Sequence, residues 1–236
     1  MVLKLLVLLL FPISVFAQKT IDVDKETIDP VKNGFFYTVA GVPFSLYKYS
    51  KIVSGSPFFK DEWMKGIATL ANGTRAQCDR MKLDLMSGEI IYMDSTGTEL
   101  IATSPIIRIT LMDSASGKNY IFTTKFSATG KKSSEGWYQV LESGTATLYK
   151  KIKKVVVEAT PFNSAAAEQT INTAVFYFIE ISNEVNAVKK LKDIPDVLSD
   201  KRKELDEFIT ANKLSGKTDD GFTGVVAKYN ALAVNN

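Results

Sequence analysis

The sequence predicts an α+β protein: an antiparallel β-meander sheet, curved and sandwich-like or half-barrel-like, with a C-terminal cluster of short helices. Two observations carry this. Between Phe35 and Ser182, short runs rich in β-branched, aromatic and Met residues alternate with Gly-centred turns, and no helix-length segment separates them. After Asn183 the apolar spacing changes from a strand period to a helical one. Composition agrees with a folded chain. Of 236 residues, 45% are hydrophobic, 23% charged and 11% aromatic, which excludes a disordered tail, and 14 Gly with 7 Pro exclude a collagenous chain.

The first segment, 1–17, has the order of a secretory signal peptide. Lys4 precedes an apolar run broken only by Pro12 and Ser14, and Val15-Phe16-Ala17 suits signal peptidase, so cleavage is expected after Ala17. The run is shorter than the roughly 20 apolar residues of a spanning helix, and no cysteine follows it to carry a lipid. The expected product is exported, periplasmic or secreted, with no integral membrane span. Residues 18–54 read as an extended N-terminal segment. Asp22, Asp24 and Glu26 alternate like calcium-loop ligands, but Thr27 stands where the loop needs Gly and Asn33 where it needs Glu. No metal or other cofactor is expected.

Residues 55–183 form the antiparallel β region. Asn72-Gly73 between two strand-like runs is the strongest short hairpin signal, because both central residues of a type I′ turn need positive φ. Further turns fall at Ser87-Gly88, Thr96-Gly97 and Ser116-Gly117. Strands are expected at 75–83, 89–93, 106–112, 118–122, 137–141, 147–157 and 174–181, with exposed loops at 131–135 and 163–169. No internal repeat stands out. Residues 184–236 form the helical segment, packed on the sheet. Pro195 suits the first turn of a short helix over 194–198. Leu205, Phe208 and Ile209 mark a helix over 201–213, with Ser199 and Asp200 as caps and Gly216 as a stop. Phe222, Val225, Val226 and Tyr229 mark another over 218–232. Helices this short need the sheet to cover their apolar stripes.

The residue inventory removes much catalytic chemistry. There is no histidine, and the single cysteine forms neither an internal disulfide nor a zinc knuckle. The net charge of +3 falls to +2 once Lys4 leaves with the signal peptide, too little for a nucleic-acid partner. Lys150, Lys151, Lys153 and Lys154 interrupt a strand pattern and read as a solvated or edge-protecting face. Gly216-Lys217-Thr218 is no phosphate loop, since Ala211 stands where the first Gly belongs and a helix leads in. Ser45-Leu46-Tyr47-Lys48, Ser199-Asp200-Lys201 and Lys217-Thr218-Asp219 mimic penicillin-binding signatures, yet the second lacks Asn and the third Gly. Cys78, in a strand with no base to activate it, is expected to be structural. Carboxylate pairs at Asp61 and Glu62, Asp79 and Asp84, and Asp94 and Glu99 leave a glycan hydrolase as the alternative function. Phe58, Phe59 and Trp63, in the stretch from Ser56, are the candidate partner-binding residues, with burial in the core as the competing reading.

The stretch Gly55-Ser56-Pro57-Phe58-Phe59-Lys60-Asp61-Glu62-Trp63, then Lys65-Gly66, Asn72-Gly73-Thr74, Met81-Lys82-Leu83-Asp84 and Gly88-Glu89-Ile90, resembles a family of exported bacterial cell-envelope proteins of unknown function. The tail, with its lysine-rich helix over 198–214 and a final helix carrying Tyr229-Asn230, is similar to that family's ending. The resemblance spans most of 55–232 and implies a cell-envelope setting. No function carries over from that family; the function expected of this chain is non-catalytic binding or interaction with an unknown protein or glycan of the cell envelope.

Overall fold

The computed structural model describes residues 35–36, 38–126, 136–160 and 167–234. The expected signal peptide, the Asp22, Asp24 and Glu26 segment, the loop at 131–135 and most of the loop at 163–169 lie outside the described residues.

The described strands are β1 (Gly41–Pro43), β2 (Ile52–Ser54), β3 (Met64–Leu70), β4 (Arg75–Leu83), β5 (Ile90–Met93), β6 (Glu99–Ala102), β7 (Ile106–Met112), β8 (Asn119–Thr123), β9 (Tyr138–Glu142), β10 (Thr147–Ala159), β11 (Glu168–Ile181) and β12 (Glu184–Val188). The helices α1 (Ile194–Val197), α2 (Arg202–Ala211) and α3 (Asp219–Val234) follow. β1 and β2 fall within the segment read as extended, and β12 carries the strand pattern past residue 183. All strands join one mostly antiparallel sheet in the order β1-β6-β5-β4-β3-β7-β8-β9-β10-β11-β12, with β2 parallel to β11. This is not one simple meander. β3 to β6 run out in one direction, the chain returns, and β7 to β12 run out in the other, so β3 pairs with β7.

That return constrains the shape. β6 lies four strand spacings from β7, about 19 Å across a flat sheet. Ala102 to Ile106 is four Cα steps, about 15 Å at most. The sheet must therefore curl. The sequence supplies a bend in β4, where Gly66 pairs with Cys78 but Met64 pairs with Met81, so β4 carries one extra residue as a bulge. The extra residue shifts the phase of β4, and Ala76, Cys78, Met81 and Leu83 all face inward.

Turn chemistry departs from the expected type I′ hairpin. At Leu70 to Thr74 only Gly73 has positive φ, at +86°, and its N–H donates to Leu70 O at 2.9 Å. This is a type I turn closed by a left-handed Gly, the usual solution for a three-residue loop. Helix capping also differs. No side chain of Ser199 or Asp200 caps α2, and its C-terminus closes before Gly216, with Asn212 Nδ2 donating to Phe208 O and Lys213 at φ +51°.

Two apolar cores result. The first lies within the curled β3 to β8 region and includes Met64, Met81, Tyr92, Ile109, Leu111 and Phe122. The second lies between β10 to β12 and the helices, where Leu205 of α2 and Phe222, Val225, Val226 and Tyr229 of α3 are all buried against Leu148, Tyr177 and Ile179. The stripe expected on α3 is thus buried in this core together with Leu205 of α2, while Phe208 and Ile209 are partly buried against it. No described helix is long and apolar enough to cross a membrane.

Candidate functional site

The expected aromatic patch is pinned to the sheet. Phe59 N donates to Leu83 O and Leu85 N donates to Pro57 O, each about 2.8 to 2.9 Å. Phe58 is 6% exposed, edge-on to the rings of Phe44 and Tyr49. Phe59 packs edge-on to Tyr120 and Phe122 in the first core. Phe59 thus packs against the first core, while Phe58, bridged to Asp84, is buried outside that core against Phe44 and Tyr49. Trp63 is half-buried, with Lys82 Nζ 4.6 Å from its ring.

The carboxylate pairs do not converge on a cleft. Asp61 accepts from Ser56 Oγ, Glu62 pairs with Lys60 at 3.1 Å, and Asp79, 85% exposed, pairs with Lys65 at 3.8 Å. Asp94 accepts from the Thr96 hydroxyl and from the Thr96 and Thr98 amides, and these bonds hold its carboxyl below the usual range. A carboxyl so stabilised as an anion is a poor general acid.

Asp84 instead organises a turn. Its Oδ1 accepts from the Met86 and Ser87 amides at 2.9 and 3.0 Å, while its Oδ2 accepts from the Tyr49 hydroxyl and lies 3.3 Å from Lys48 Nζ. Burial works against the Lys48 ammonium, yet its bonds to Glu89 and Tyr49 and the nearby Asp84 hold its pKa above the ordinary lysine value. Asp113 repeats the device in the β7–β8 turn, accepting from the Ala115 and Ser116 amides and pairing with Lys60 at 2.6 Å. The shared pattern is Asp, two variable residues, then Ser-Gly, at Asp84 to Gly88 and Asp113 to Gly117.

The turn held by Asp84 forms one wall of a cavity of about 460 Å³. Leu85, Met86, Ser87 and Gly88 face Phe176 and Phe178 of β11 and the stretch from Lys151 to Lys154 of β10. Trp137, just before β9, completes it, its Nε1 donating to Gly88 O at 2.9 Å. The hydrogen bond ties the second half of the chain to the β4–β5 turn. Behind this wall Phe178 packs edge-on to Tyr138 at 5.6 Å, and Phe126 packs edge-on to Tyr138 and Tyr149 at 5.0 and 5.2 Å.

The lysine cluster divides in two. Lys150 points to the helix side and pairs with Asp219 at 2.6 Å, so it is not the solvated residue expected. Lys151, Lys153 and Lys154 line the cavity, and none is within ion-pair distance of a carboxylate among the described residues. β9 pairs with β10 only as far as Lys150, so beyond that point β10 is an open edge among the described strands. Burial pushes the Lys154 ammonium down, opposed by the charge of Asp61. No carboxylate lines the cavity among the described residues.

Cys78 is buried at 7% exposure, and burial pushes its thiol up, away from the reactive thiolate. Among the described residues no group of three or more Cys, Asp or Glu could hold a metal ion. Lys217, from the rejected phosphate-loop match, donates to Val175 O at 3.0 Å.

Comparison with known proteins finds no matching family model, no matching curated protein and no matching solved structure.

Proposed function

We propose that this chain is an exported, non-catalytic binding protein of the bacterial cell envelope, acting through the cavity between the β4–β5 turn and the β10–β11 arm. The carrying observation is the chemistry of that cavity: aromatic and aliphatic walls, lysines without carboxylate partners, and no acid–base pair among the described residues. Its volume falls in the range of ligand sites, roughly 300–1,000 Å³. In this reading the curled sheet is half-barrel-like, and the cavity lies where the long arm passes the β4–β5 turn. The Lys4, apolar-run and Ala17 order supports export, and the resemblance over 55–232 supports an envelope setting.

Two measurements test this. Mass spectrometry of protein purified from its native host should find Gln18 as the first residue, and a mature product retaining Met1 overturns export. A pull-down from envelope extracts should recover a component that is lost when Lys151 and Lys153 are both changed to Glu. Recovery unaffected by those changes removes the cavity from the function.

A further inference from the structure

We propose that the cavity binds an anionic amphiphile, a ligand joining an apolar body to a carboxylate or phosphate group, of which a fatty-acid anion is the simplest case. The inference deepens the binding reading above and rests on it.

Leu85, Met86, Trp137, Ile152, Phe176 and Phe178 supply the apolar wall. Phe176 is 46% exposed, a large ring left at the rim where an apolar body would cover it. The cations sit beside it. The β10–β11 register places Lys151 directly opposite Phe176, and Tyr149 opposite Phe178, so Lys151 and Lys153 share the face that carries both phenylalanines. Lys151 Nζ lies 5.1 Å from the Tyr138 ring centroid, held by a π-face with no carboxylate within ion-pair distance among the described residues. Lys154 also lines the cavity, its ammonium partly desolvated. The peptide groups of β10 beyond Lys150 that point away from β11 add unpaired polar groups on the same side, among the described strands.

Other ligand classes fit less well. A neutral glycan is bound by side-chain amides and carboxylates, and neither type lines this cavity among the described residues. A metal ion would be repelled by three ammonium groups. A neutral lipid would leave those cations unused. Only a ligand with both characters uses the wall and the lysines together.

The test uses the mature protein in a Trp63→Phe background, which leaves Trp137 as the sole tryptophan reporter in the cavity wall. Decanoate, decanol and acetate are titrated while Trp137 emission is followed. Saturable binding of decanoate, with decanol and acetate each weaker by about tenfold or more, is expected, since a desolvated charge-assisted contact and an apolar body each contribute at least that factor. The variant Lys151→Glu/Lys153→Glu/Lys154→Glu should lose decanoate by a similar factor while melting as the parent does. If that variant unfolds, Lys151→Gln with Lys153→Gln provides the same readout. Vesicles of phosphatidylglycerol, with and without decanoate as competitor, assign the source. Competition identifies a membrane lipid headgroup as a ligand, and absence of vesicle binding identifies the free amphiphile.

Equal affinity for decanol and decanoate, no saturable decanoate binding, or undiminished binding by the lysine variants overturns the inference. If decanoate fails but the envelope pull-down still depends on Lys151 and Lys153, the ligand class is wrong and the binding reading stands. If both fail, the cavity has no binding role.

Discussion

Tyr92 is 1% exposed in the first core, and its hydroxyl has no hydrogen-bond partner among the described residues. Burial, with Cys78 and Asp94 nearby, pushes its pKa up to about 12. A buried hydroxyl left unpaired costs about 1–3 kcal/mol, so Tyr92→Phe should leave the melting temperature unchanged or raise it. Gly41 covers that hydroxyl so closely that an added Cβ would lie 2.5 Å from it and 3.0 Å from Leu100 Cβ. Gly41→Ala should therefore destabilise, and combining it with Tyr92→Phe should recover part of the loss. A thermal melt of all four proteins checks the cycle, and independent effects of the two changes would contradict the contact. Phe59 offers a second test at this scale. Packed on Tyr120 and Phe122, it should cost about 3–5 kcal/mol on change to Ala, measured by urea denaturation, whereas an exposed binding anchor would leave folding nearly intact.

The two Asp-to-Gly turns are built alike, and the one at Asp84 fixes a wall of the cavity. Each Asp uses one oxygen for two turn amides and the other for a lysine from a distant segment, Lys48 in one case and Lys60 in the other. The Lys60 ammonium, then the Ser116 hydroxyl and amide, hold the Asp113 carboxyl well below the ordinary carboxylate range. Because the folded value is depressed, the stability it contributes is present above the unfolded value near pH 4 and is lost as pH falls through the folded value. Asp113→Asn should thus melt below the parent at pH 7, and the gap should close as pH drops below about 4. A gap that stays constant down to pH 2 would mean that Asp113 acts only as a turn former. Most strand positions and their turns were legible, because β4 and β7 each combine apolar alternation with a Gly at the turn. Asp84 reads from the sequence only as half of a carboxylate pair and Asp113 does not stand out, although the repeated spacing from Asp to Ser-Gly was there to be read. Lys48 and Lys60 could not be assigned to them, since nothing in a local pattern records which distant side chain arrives.

At the scale of the whole molecule, non-local contacts decide where function can sit. Lys151 and Lys153 read correctly as strand residues, but that they face Leu85 to Gly88 follows from the return of the chain from β6 to β7 and the resulting curl, which no local spacing encodes. The helical tail is joined to this body through the second core and, beside it, through one buried polar contact. Asn230 of α3 accepts from Ala146 N at 2.8 Å through Oδ1 and donates to Ala146 O at 3.0 Å through Nδ2, so one amide side chain satisfies both polar groups of a fully buried residue at the start of β10. Gly144 leaves room for it, since a Cβ there would lie 2.5 Å from Asn230 Cγ. Removing the amide strands both groups away from water, a loss of about 2–4 kcal/mol for Asn230→Ala. Asn230→Asp keeps an acceptor for the N–H but sets a carboxylate oxygen against the Ala146 carbonyl, so it should be no milder. The location of the loss is as informative as its size. β10 serves the second core through Leu148 and the cavity wall through Lys151 to Lys154, so loosening α3 should reach the sheet. Trp137 emission and far-UV circular dichroism should shift together to lower denaturant in Asn230→Ala, as one transition. If the helical signal is lost first while Trp137 emission keeps the parent midpoint, tail and sheet are separate cooperative units, and the cavity does not depend on α3.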